Sequence, residues 1–159
     1  LKSIPGILEV ICSGVCQLGI LPVEPDLAGC LSIPFLKEHL SICVPASHDL
    51  ARRSSVTFEE LNGFNFLLRS EIGFWDEMCR VQMPSSRFLV QTDEFAFREL
   101  VRESSLPCFT TNLATDYQNL LADRIKIPIT SPQANVTYFL ACRSNQKAYA
   151  AIAERIRQN

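Results

Sequence analysis

The chain has 159 residues, 15 Lys and Arg against 17 Asp and Glu, a net charge of -2, and a 47% hydrophobic composition. A mildly acidic chain offers no electrostatic footprint for nucleic acid, and no apolar run approaches the ~20 residues that span a bilayer. The length suits one domain or two small lobes, with enough apolar residues for a core.

In chain order, Leu1 to Ile4 reads as a strand remnant. Ile7, Leu8, Ile11, Cys12 and Val15 share one face of a helix from about Pro5 to Cys16. Leu18 to Leu21 is a short buried strand, followed by a loop punctuated by Pro22, Pro25 and Gly29. Leu31 to Leu36 is extended. Leu40, Ile42 and Val44 alternate with Ser41 and Cys43 in the next strand, which Pro45 ends. Ser47 to Ser55 is polar and reads as a flexible loop. Thr57 fits a helix N-cap, with Glu60 at the capping-box offset. Phe64 to Leu68 forms a second apolar strand. A helix follows from Ile72 to Val81 and stops before Pro84. After a strand at Arg87 to Gln91, Thr92 or Asp93 caps a helix whose face is Phe97, Leu100, Val101 and Ser104. Pro107 to Thr110 is extended, Ala114 to Leu121 helical, and Val136 to Cys142 a strand. Tyr149, Ile152, Ala153 and Ile156 stripe a C-terminal helix. This alternation predicts an α/β fold with mainly parallel sheets.

The stretch from Leu40 to Leu68 contains the turn Ser47-His48-Asp49-Leu50-Ala51 and the segment Val56 to Leu61. It resembles the crossover between the lobes of the effector-binding domain of LysR-type transcriptional regulators, with Asp49 where that family usually has proline. Gly14 to Leu21 is similar to the family's Gly-x-x-Asp-Leu-Ala-Ile strand entry, with Gln17 in place of Asp. Leu100 to Thr111 sits where the family has a helix end, a glycine-rich turn and a buried strand; Ser104 and Leu106 occupy the glycine places. The resemblance implies a two-lobed, periplasmic-binding-protein-like (type 2) domain with two crossovers and a ligand cleft between the lobes. The first lobe is expected at 1–53 plus 132–159, lacking its initial strand and helix, and the second at 54–131. The DNA-binding domain is expected outside this chain. A small polar or anionic effector, a homodimer, a cytoplasmic location, no membrane contact, no cofactor and no catalysis are further implications. The alternatives are a solute-binding protein of a transport system and an enzyme on the same fold. Seven cysteines, and a start at Leu1 to Glu9 without a basic segment or long apolar core, speak against export.

Ligands of open α/β sheets sit at the carboxyl ends of strands. Ser70, Glu71, Ile72, Gly73 and Phe74 occupy such a junction, where the first helical turn offers unpaired N–H groups and the positive dipole end. Ser70 adds a hydroxyl, as ligand donor or as N-cap. Gly73 permits close approach of a ligand, Arg69 could attract a carboxylate, and Trp75 reads as core. Thr92 and Asp93 form a second junction, with Asp93 as N-cap. Leu21 to Val23 and Phe109 to Thr111 lie at two further strand ends. The only histidines, His39 and His48, form no recognisable catalytic set, and His48 reads as a surface loop residue. Glu59-Glu60 and Asp76-Glu77 read as solvated first-turn charges. No Cys-x-x-Cys pair occurs, so no metal site is predicted and the cysteines read as small buried hydrophobes.

Overall fold

The computed structural model describes residues 3–70, 72–114, 119–145, 149, 151, 152, 155 and 156. The chain divides into two units: Leu1–Glu38 with Val136–Asn159, and His39–Asn135. It passes from one to the other twice, at Glu38 to His39 and at Asn135 to Val136. The expected division after Arg53 therefore moves back to residue 38, and the one after Ser131 moves on to residue 135. The reason is that the chain leaves the first unit inside a continuous strand, not in the polar loop that follows it.

In the first unit, helix α1 (Ile4–Cys12) starts where Ser3 accepts the Gly6 N–H at 3.3 Å and Pro5 occupies the first turn. Ile4 is thus helical, not the end of a strand remnant. Strand β1 (Leu18–Leu21) pairs antiparallel with the C-terminal strand (Asn135–Arg143), Leu18 opposite Cys142. Beside that strand lies the first part of β2 (Cys30–Pro45). Two strands were expected there. They are one: β2 runs unbroken through Pro34, a residue that sheets admit on edge strands. Ile11, Leu21 and Ala141 form the core under Ile4, Ile7 and Leu8. A Cβ at Gly19 would stand 2.5 Å from Ile11 Cδ1, so any larger residue there would have to displace the Ile11 side chain where α1 settles on β1. Of the C-terminal stripe, Ile156 packs against Ile33 and Leu140, whereas Ile152 is exposed and Ala153 lies outside the described residues.

The second unit contains the rest of β2, helix α2 (Phe58–Leu61), β3 (Asn65–Arg69), α3 (Phe74–Gln82), β4 (Arg87–Gln91), α4 (Glu94–Glu103), β5 (Cys108–Thr111) and β6 (Arg124–Pro128); the Asn135–Arg143 strand is β7. Strand order is β2-β5-β3-β4, with β6 also pairing β2. β3 is parallel to β4 and to β5, but β2 is antiparallel to both β5 and β6. The α/β class holds, and the expectation of mainly parallel sheets is corrected to mixed ones. Helical crossovers enforce parallel pairing only within β3-α3-β4-α4-β5; β2 and β6 join the sheet without one.

The segment after β2 is not a flexible loop. His48 Nδ1 accepts the Leu50 N–H at 3.1 Å, and a 3-10 turn at Asp49–Arg52 buries Leu50. Thr57 and Glu60 form the expected capping box. β6 has no counterpart among the predicted elements. Of the helix expected at Ala114 to Leu121, residues 115–118 lie outside the described residues, and 119–121 form turns.

The two faces of this sheet carry different helices. Phe66, Phe88 and Phe109 stack on the face where Arg80 of α3 lies over the Phe88 ring. Leu67, Cys108 and Cys43 face α4, packing on Phe97 and Val101. Arg124 fastens β6 to this second face. Its guanidinium donates to the carbonyls of Val101 (2.6 Å), Ser104 (2.7 Å), Leu106 (2.7 Å) and Cys43 (3.3 Å). It thereby satisfies the exposed carbonyl end of α4.

Candidate functional site

β3 and β4 end side by side, Arg69 opposite Gln91, and the Ser70 N–H donates to the Gln91 carbonyl at 2.8 Å. β5 runs in the same direction beside β3, so its end at Thr111 falls on the same edge. From β3 the chain turns to the α3 face, and from β5 to the α4 face. Neighbouring strands whose continuations part in this way form the crevice where α/β sheets bind ligands. At the same edge, Asn112 Oδ1 accepts the His39 N–H at 2.7 Å, and the His39 ring bonds Asn135 Oδ1 through Nδ1. Asn135 Nδ2 donates to the Ser131 and Pro132 carbonyls, so its Oδ1 is the acceptor and His39 Nδ1 carries the proton.

The two helices entering this edge begin differently. α4 is capped by Asp93, which accepts the Ala96 N–H at 2.7 Å. α3 is preceded by Gly73, at φ 61 and ψ -127, with no side-chain cap. The positive φ is accessible to glycine and strained for other residues. Ser70 is therefore not the N-cap; it sits half-buried between strand and helix. Ile72 and Phe74 are half-buried, Gly73 and Thr92 exposed, and Glu71 lies outside the described residues. Phe74 packs edge-on against Trp75, which is core as expected.

Ser70, Ile72, Gly73 and Thr92 are thus brought to one edge. Other candidates have structural duties. The Arg69 guanidinium pairs with Glu94 at 3.2 Å, and Glu94 also takes Arg98 at 2.8 Å. Phe109 turns onto the sheet face against Phe66, with ring centroids 4.8 Å apart. Leu21 is fully buried in the other unit. Sequence reasoning overlooked Asn112, Lys126 and the hydroxyl of Ser41. An asparagine directly after a predicted strand, and the alternation Arg124-Ile125-Lys126-Ile127, were the available signals.

Cys43, Cys79, Cys108 and Cys142 are buried, Cys16 and Cys30 partly so, and Cys12 is exposed. Burial pushes the Cys43 and Cys79 thiols up to about 12 and Cys108 to about 11, the last moderated by Arg124. Among the described residues no cluster of three metal-ligating side chains occurs, and no helix is long and apolar enough to cross a membrane.

The family model for the LysR substrate binding domain matches residues 2–158. No curated protein matches the chain significantly. Among solved structures, the reduced OxyR regulatory domain from Pseudomonas aeruginosa aligns with a TM-score of 0.68 at 19% identity, over 96% of this chain and 77% of that one. The regulatory domain of MetR, a LysR family regulator from N. meningitidis, gives 0.70 at 14% identity, over 94% and 72%. Full-length BenM gives 0.70 at 18% identity, over 99% and 55%, so the chain spans about half of that protein. At such identities the likeness speaks for the fold alone.

Proposed function

The chain belongs to the LysR substrate-binding domain family, and we propose that its effector is a small polar or anionic molecule held at the carboxyl edge of β3, β4 and β5. The fold is the family's α/β, type 2 periplasmic-binding-protein-like fold, and its function is effector sensing within a transcriptional regulator. The family favours this role over that of a transport protein, and a regulatory role over an enzymatic one.

One observation carries the site: α3 starts at Gly73 without a side-chain cap, a few residues after Ser70 at the end of β3. Its first N–H groups and positive dipole end favour an anion or a carbonyl oxygen. The effector acts by preferring one conformational state of the domain. The regulator works in the cytoplasm as a homodimer and reaches DNA through a domain outside this chain.

A thermal-shift screen of metabolites tests the reading, since a ligand of the native state raises apparent stability by mass action. Polar or anionic compounds are expected to raise the unfolding midpoint. Stabilisation by neutral apolar compounds alone would contradict the assignment. The chain by itself, at net charge -2, is expected to give no sequence-specific gel shift with duplex DNA.

A further inference from the structure

A recess of about 280 Å³ opens in the second unit, around the end of β5 on the α4 side of the sheet; Cys43, Thr110, Thr111, Asn112, Leu121 and Lys126 line it. The strand register explains its chemistry. Lys126 of β6, Cys43 of β2 and Cys108 of β5 stand directly opposite one another, so their side chains rise from one face. Lys126 forms no ion pair with any described residue, and no described carboxylate lines the recess.

The second observation is independent of the cation. Ser41 and Thr110 are the two buried polar residues among the described ones, 4% and 9% exposed. They are cross-strand partners, and neither hydroxyl bonds to a described residue. Of the two, Thr110 lines the recess, so its hydroxyl is open to a polar ligand group there.

We propose that this recess, on the α4 side of the sheet at the β5 end of that edge, is a binding site for a small monocarboxylate, distinct from the start of α3. One ammonium group matches one carboxylate better than a dianionic phosphate. The Thr110 hydroxyl donates to the same group. Cys43 and Leu121 supply apolar wall for a short alkyl chain. The volume lies just under the ~300–1,000 Å³ usual for drug-sized ligands, which restricts the guest to a few carbons.

Butyrate titrated into this chain, with butyramide as its neutral isostere, tests the proposal by nitrogen–proton NMR. Butyrate, and not butyramide, is expected to shift the amide signals of Thr110, Thr111 and Lys126 saturably. Lys126→Met should weaken binding about ten-fold, the loss of one charge-assisted hydrogen bond, without moving the unliganded unfolding midpoint. Thr110→Val, which keeps the shape and removes the hydroxyl, should weaken it less. Equal responses to both probes, no response, or full affinity in Lys126→Met overturns the site. Shifts confined to residues 70–73 overturn it as well, by placing the carboxylate at the start of α3.

Discussion

β3 and β4 end opposite each other in the same sheet, yet the helices they feed open in contrasting ways. At α4 the chain supplies its own acceptor, the Asp93 carboxylate on the Ala96 N–H. At α3 the residue in that position is Gly73, and no side chain caps the helix. α4 is also closed at its far end, where Arg124 takes the Val101 and Ser104 carbonyls. Equivalent topological positions thus acquire different roles from a few side chains. α4 receives a side-chain cap and reads as scaffold, whereas α3 begins without one and reads as receptor.

The largest expected effect tests the anchoring of the receptor helix. Trp75→Ala should cost about 3–5 kcal/mol in denaturant unfolding, the usual penalty for removing a buried tryptophan. A cost below about 1 kcal/mol would mean that α3 is not held in place by its core face. Next, Arg124→Met should destabilise by about 2–4 kcal/mol, because several partly buried carbonyls lose a charged donor. A near-neutral result would remove the claim that α4 is closed at both ends.

Both faces of the sheet should respond together to alkali. Cys79 on α3 is held up to about 12, as is Cys43 on the α4 face, with Cys108 at about 11. Unfolded thiols ionise from 9.0, so the unfolded state releases protons first. Stability is fully present below pH 9 and is lost as pH rises through the folded values. Denaturant midpoints across that range, compared with a Cys79→Ala and a Cys108→Ala variant, should show a shallower decline in each. An unchanged decline would mean that the thiols are not the cause. Smaller still, Asp93→Ala should cost about 1 kcal/mol, as loss of an N-cap does, and should leave effector affinity untouched.

The contrast between the two helix starts was only half legible in the sequence. Asp93 as cap, Trp75 as core and the Thr57–Glu60 box could be read because each depends on spacing within a few residues. Ser70 has the chemistry of a cap but not its position. The chain runs on from Arg69 to Gly73 before turning helical, and loop length leaves no periodic signal. The pairing of Cys43 with both Cys108 and Lys126 was illegible, since it joins residues far apart in the chain through antiparallel strands with no crossover helix. With β6 unrecognised, the Lys126 recess could not be foreseen. Phe109 lies within β5, two residues before its end at Thr111, and β alternation turns its ring to the Phe66 face.

Calorimetry with an effector from the metabolite screen, on the unaltered chain and on Ser70→Trp and Asp93→Ala, tests the receptor role of the α3 start most directly. The tryptophan would fill the space before that helix end, at a half-buried loop position that leaves the core intact. The account predicts a folded Ser70→Trp protein without measurable binding, beside an Asp93→Ala protein that binds normally. A folded Ser70→Trp protein with unchanged affinity would contradict it.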